Sequence, residues 1–272
     1  MRNVPRPRGR TGAERPVGTP LPLWLPAGCA LALILLPVLG LFARVDPARL
    51  PALLTSPTAL SALWLSLRTA ALATGVSALL GGPLAVVLAR SRVPGTRLLR
   101  GAVLLPLVLP PVVGGLALLY LLGRTGPVGA VLEQRFGLTL PYTTTAVVLA
   151  QTFVAMPFLV VSLEGALRAA GTEHERMAAT LGAGPWLTFR RVTLPMVLPA
   201  LVSGLVLTFA RALGEFGATI TFAGSLRGTT RTLPLAVYTE AQADVDAAVA
   251  MSLLLVAMAL LVIVVARPRA VG

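Results

Sequence analysis

The sequence predicts an all-α polytopic membrane protein with about six transmembrane helices and one ordered helix–turn–helix loop between two of them. Three observations predict it. The chain is 56% hydrophobic and only 12% charged, against about 25% charged residues in soluble domains, and its mean hydropathy is +0.85. Apolar runs near 20 residues, the length that crosses a bilayer core, recur along the chain. The arginines fall mainly in the gaps between those runs, where charge sets topology.

The candidate spans are Leu23–Ala43, Ala59–Ala89, Gly101–Gly123, Tyr142–Leu163, Val197–Ala223 and Ala247–Ala266. The second and fifth are long enough to tilt or to extend past the lipid. With the N-terminus inside, the inner segments hold fifteen arginines and the outer loops six. That bias favours both termini in the cytoplasm. Residues 1–22 form a basic, proline-rich tail expected to be disordered. Residues 23–266 form a single transmembrane domain with its longest inner loop at about 168–195, and 267–272 a short cytoplasmic tail. The first run exceeds a usual signal-peptide core, and no clear A-x-A site follows it.

Composition also excludes functions. The net charge of +13 does not read as nucleic-acid binding, because the arginines sit in inter-span gaps. A Walker phosphate loop needs a lysine, and all 23 basic residues are arginine. The single histidine, His174, cannot build a metal site by itself, and Cys29 cannot form an intrachain disulfide. No nucleophile elbow appears. The expectation is a transporter without catalysis or a bound cofactor of its own.

The stretch ERMAATLGAGPWLTFRRVTLPMVLPAL, from Glu175 to Leu201, interrupts the oily pattern. Good helix formers run from Glu173 to Leu181. Gly182 and Gly184 then end the helix, Pro185 suits the first turn of a second one, and Thr193 to Pro195 are expected to stop that helix before the fifth span. As a bare sequence, this loop reads equally as an interfacial anchor or as a docking element for a cytoplasmic partner.

Within the fifth span, Arg211 and Glu215 are four residues apart and are expected on one helix face. An unpaired charge at mid-helix costs about 2.5–3.5 kcal/mol, so they should pair or face a polar interior. Both a structural ion pair and a pathway lining satisfy that. Arg68 reads as snorkelling to the headgroups, and Glu164 as ending the fourth span. Pro106, Pro110 and Pro111 break the backbone ladder of the third span, giving a packing kink or a constriction. Gly204, Gly214 and Gly217 suit close helix contact.

The loop resembles the cytoplasmic signature loop of bacterial ABC importer permeases: E-A-A, three residues, Gly, nine residues, then Ile-x-Leu-Pro. Here Gly182 is followed by nine residues and then Val192, Thr193, Leu194 and Pro195. The front departs: strict counting puts Arg176, Met177 and Ala178 under the E-A-A, with Glu175 one place early. The resemblance implies a loop that docks on an ATP-hydrolysing subunit, with Glu173, Glu175, Arg176, Ala178, Ala179, Gly182, Ala183 and Pro195 as its coupling residues.

A second resemblance, to molybdate permeases, runs from about Ser61 to Ile263. It rests on the run from Arg211 to Gly224, on Thr232–Tyr238, on Asp246–Ser252 and on Leu105–Gly114. The Gly-Glu-Phe-Gly core at Gly214–Gly217 is shared with sulfate permeases. The resemblance implies a bacterial inner-membrane homodimer, two ATP-binding subunits carrying ATP and Mg, and an external oxyanion-binding protein. Arg211, Gly214, Glu215, Gly217, Thr219, Pro110 and Pro111 are the implied pathway residues. Molybdate or tungstate is the expected cargo, with sulfate or thiosulfate as the alternative. A stand-alone secondary transporter or channel would need a coupling-ion site at mid-membrane, and the chain lacks inverted halves.

Overall fold

In the computed structural model, residues 20–91 and 94–265 are described. The tail expected at 1–22 lies almost wholly outside them, as do Arg92 and the tail at 267–272. The chain divides into two units, one up to Ala43 and one from Arg44. The described residues of the first hold a 3-10 turn at Leu21–Leu23 and one helix, α1 (Trp24–Arg44). Its 21 residues span about 31 Å at 1.5 Å per residue, enough for the hydrocarbon layer.

The second unit follows as α2 (Leu50–Leu54), α3 (Pro57–Arg90), α4 (Thr96–Val108), α5 (Pro111–Leu122), α6 (Pro127–Phe136) and α7 (Thr144–Ala169). Then come α8 (Glu173–Thr180), α9 (Pro185–Thr188), a π turn at Phe189–Thr193, α10 (Leu194–Leu213), α11 (Gly217–Phe222), α12 (Leu233–Glu240) and α13 (Val245–Val265). Among the described residues, five helices are long and apolar enough to cross a membrane, or six if the bent pair α4–α5 counts as one span.

α7 is the centre. Of its most apolar window 61% is buried, against 28% for α3 and 22% for α10 and α13. α3 meets it along a stripe of small residues that includes Ala70, Ala73, Gly81 and Ala85. Small side chains let helices approach closely where lipid supplies no hydrophobic drive. α3 starts cleanly because the Ser56 hydroxyl accepts from the Ala59 amide at 3.3 Å and Pro57 fills the first turn. At one end, α3, α7 and α10 close over Leu88, Val160, Leu163, Leu167 and Val197. At the other, α3, α12 and α13 close over Ala59, Leu233, Ala236 and Met251.

Three expectations need correction. Pro106 does not break the third span, because it sits inside α4; the break comes at Pro110 and Pro111, where the chain bends by 113° between α4 and α5. Pro110 and Pro111 each lack an N–H, so the ladder has nothing to continue through. The fifth span is not one helix either. α10 ends at Leu213, and Gly214–Phe216 separate it from α11, so Glu215 lies past the end of the helix that carries Arg211. Pro195, in turn, does not stop a helix, because the chain stays helical from Pro185 to Leu213. There the Leu194 amide bonds to the Phe189 carbonyl in the wide π register, and the proline is absorbed just after that widened turn.

The gaps between the spans meet in two groups. The gaps after α3 and α7 come together: Arg100 and Arg168 both bond Glu164, at 2.6 and 2.9 Å, and both donate to the Leu88 carbonyl, at 2.9 and 3.1 Å. Glu164 lies within α7, which runs on to Ala169. The opposite gaps also meet one another, with Arg49 on Asp246 at 2.6 Å and the Thr144 hydroxyl on the Thr229 carbonyl at 2.9 Å.

Candidate functional site

Two places carry polar chemistry. The first is where the broken helices meet. Arg211 Nη2 lies 2.7 Å from Glu215 Oε2, with the carboxylate side chain 1% exposed and the arginine 27%. The other carboxylate oxygen accepts from the Ala218 amide at 2.8 Å. Glu215 thus satisfies a free amide at the start of α11 while neutralising the arginine at the end of α10. The expected pairing exists, across a break rather than along a helix face.

α5 packs on α11 through glycine. A Cβ on Gly217 would sit 2.7 Å from the Pro111 Cβ, and one on Gly115 would sit 2.8 Å from the Ala218 carbonyl oxygen. Both helix breaks therefore touch. Of the predicted pathway residues, Pro110, Pro111 and Gly214 are exposed, Gly217 and Thr219 are buried, and Arg211 lies between. Gly204 contacts Leu159 and Ser162 on α7, as its small size suggested. Arg68 is exposed on α3. The Thr219 hydroxyl is buried without a partner among the described residues, as are both amide atoms of Gln151. Gln151 was missed in the sequence; its signal is an amide side chain inside an otherwise apolar run. A guanidinium bound through one nitrogen keeps other donors. This arrangement can attract an anion, while its own carboxylate keeps the attraction weak.

The second place is the loop after α7. Gly171 and Gly182 take left-handed backbone, at φ +65° and +83°. At Gly182 this lets the Gly182 and Ala183 amides bond back to Ala179 and Ala178, each at 3.0 Å, which closes α8. Gly184 leads to Pro185 at the start of α9, and Trp186 stacks on Phe189 with centroids 5.8 Å apart. The helix–turn–helix is therefore real and ordered. Glu173, Arg176, Ala179, Gly182 and Pro195 are exposed, and Ala178 and Ala183 are half-buried. Glu175 turns inward: its Oε1 takes Arg90 Nη2 and the Thr193 hydroxyl, each at 2.9 Å. The loop exposes large apolar groups instead: Met177 56% and Leu181 88%, one turn apart, and Trp186 72%, which lies beside Leu163, Val197 and Leu201 of the spans. Leu181 and Trp186 were not singled out in the sequence, because in an oily chain a leucine or tryptophan carries no signal, and Met177 was named only for its register under the E-A-A.

A family model described as "Binding-protein-dependent transport system inner membrane component" matches residues 81–267. The chain belongs to that family. The permease is 56% identical over 228 residues to the molybdenum transport system permease protein ModB of Mycobacterium tuberculosis, covering 83% of this chain and 86% of the relative. Its identity to the Escherichia coli K12 protein of the same name is 45% over 181 residues, covering 66% and 79%. To the sulfate transport system permease protein CysW of that strain it is 38% over 208 residues, covering 75% and 71%. Its fold matches a bacterial ABC transporter that imports alginate, at a TM-score of 0.67 and 19% identity over 89% and 93% of the two chains. It also matches the MetNI methionine transporter at 0.60 and 20%, over 77% and 93%. The permease is a multi-pass membrane subunit of an ABC transporter, a transporter rather than an enzyme.

Proposed function

We propose that this chain is the membrane pathway of an ATP-driven importer of molybdate or tungstate. Two copies form the pore in a bacterial inner membrane, with both termini in the cytoplasm. An external binding protein delivers the oxyanion to the outer loops around Tyr142 and Ser225–Asp244. Two separate subunits hold ATP and Mg. Their closure pushes on Glu173–Pro195, and the anion passes the break at Arg211 and Glu215.

The observation that carries this reading is the pair Met177 and Leu181, one helical turn apart at the end of α8 and both exposed. A tightly turned loop that offers such side chains beside charged ones suits a protein partner. The cargo rests on the likeness to molybdenum permeases. The sulfate permease relative is less similar, and the Gly-Glu-Phe-Gly core is common to both, so sulfate is the second reading.

The test is purification of the tagged chain with its candidate ATPase and reconstitution into liposomes. We expect the ATPase to co-purify, and labelled molybdate to enter only with ATP and the binding protein, with tungstate competing and sulfate not. Equal competition by sulfate supports the second reading. Uptake without ATP or an ATPase contradicts the importer.

A further inference from the structure

The sequence pattern assigns Glu175 an acidic role at the partner surface, but its geometry is that of an internal tie. One carboxylate oxygen receives Arg90 Nη2 and the Thr193 hydroxyl, both at 2.9 Å. Arg90 is the last residue of α3, Glu175 lies in the first turn of α8, and Thr193 closes the π turn that feeds α10. Three helical segments meet at one atom. The group is sheltered, with Arg90 and Glu175 side chains 19% and 21% exposed and Thr193 buried at 4%, so solvent screens the attraction less than at a surface pair.

The surroundings suit transmission better than simple anchoring. The chain from α8 to α10 passes through Gly182, Gly184 and the π turn, and such turns often mark functional sites. Arg90 and Glu175 are 85 residues apart, so nothing covalent nearby joins α8 to α3. Beside the contact a cleft of about 390 Å³ opens between Val86, Ala179, Pro185 and Phe189. Arg90, Glu175 and Thr193 line that cleft, and the shared oxygen ties α8 to α3 and α10 together.

We infer that Glu175 is a positioning residue that relays movement of the inner loop to α3 through Arg90 and to α10 through Thr193. It is not a contact to the ATPase. This rests on the reading that the loop docks an ATPase. The experiment uses the full complex in liposomes and measures anion imported per ATP hydrolysed, beside co-purification of the ATPase. Substitutions along a coupling network shift it by about 0.5–2 kcal/mol. Glu175→Gln, which keeps shape and loses charge, is therefore expected to lower the ratio about tenfold with the ATPase still bound. Thr193→Val leaves the ion pair and should lower the ratio about threefold. Combining Arg90→Glu with Glu175→Arg should recover part of the Glu175→Gln loss; a merely structural role would instead lower the melting temperature and leave the ratio of the folded complex unchanged. An unchanged ratio in both single variants overturns the inference. Loss of ATPase binding in Glu175→Gln overturns it too, because Glu175 would then be a docking contact. If the unsubstituted chain brings down no ATPase, the docking reading itself fails.

Discussion

Removing the carboxylate of Glu215 tests the broken-helix site most severely. Glu215→Ala takes away the partner of Arg211 at 2.7 Å and the acceptor of the Ala218 amide at 2.8 Å. Losing one partner of a buried pair costs about 3–5 kcal/mol. Arg211 is 27% exposed and can turn partly toward water, so the low end, about 3 kcal/mol, applies. The lost cap adds about 1 kcal/mol. Glu215→Gln keeps an oxygen for Ala218 and should recover about that last 1 kcal/mol. Replacing both partners, as Arg211→Met with Glu215→Leu, removes the stranded charge and should cost far less than Glu215→Ala alone. The assay is thermal unfolding in detergent, followed by size-exclusion fluorescence. At about 2–4 °C per kcal/mol for a chain of this size, Glu215→Ala should melt roughly 10 °C lower. A melting point within about 2 °C of the unsubstituted protein would refute the reasoning, as would a double variant less stable than Glu215→Ala.

Gly115→Ala should destabilise by about 1–3 kcal/mol, because its Cβ meets the Ala218 carbonyl oxygen and Cα, at 2.8 and 2.9 Å, and backbone does not yield cheaply. Gly75→Ala is the control: nothing lies within 4 Å of its Cβ, so it should be neutral or stabilising by up to about 1 kcal/mol in the same melt. Arg100→Ala and Arg168→Ala should each be mild, because the other arginine still holds Glu164 and the Leu88 carbonyl. The double variant strands a carboxylate that is 12% exposed and should cost about 3–5 kcal/mol, more than the two single losses together.

The spans were legible because lipid imposes length and hydropathy on each of them. Gly182, Pro185 and the left-handed turn between α8 and α9 were legible too, since those residues have few other uses in that order. The breaks were harder to see. In an oily run, Gly214 and Gly217 read as packing glycines, and only their position around a charged residue hinted at an interrupted helix. The short helices α2, α6 and α12 each open on proline, at Pro51, Pro127 and Pro234, which in a gap between spans reads as a turn. Arg168, four residues on, is within reach of helical spacing for Glu164, but the distant partners of Glu164 and Glu175 could not be read at all. Arg100 and Arg90 lie 64 and 85 residues away from them, and periodicity carries no information about such pairs. The direction of Glu175 followed from them.

The measurement that bears most directly on the whole account is the side of the membrane on which Leu181 lies, and what covers it. Leu181→Cys is made in a Cys29→Ser background, since Cys29 is the single natural cysteine, and a membrane-impermeant maleimide is applied to intact cells and to inside-out vesicles. The account predicts labelling only in inside-out vesicles, and loss of that labelling when the ATPase subunit is bound. Labelling from the outside, or labelling from the inside that the ATPase does not suppress, would contradict it.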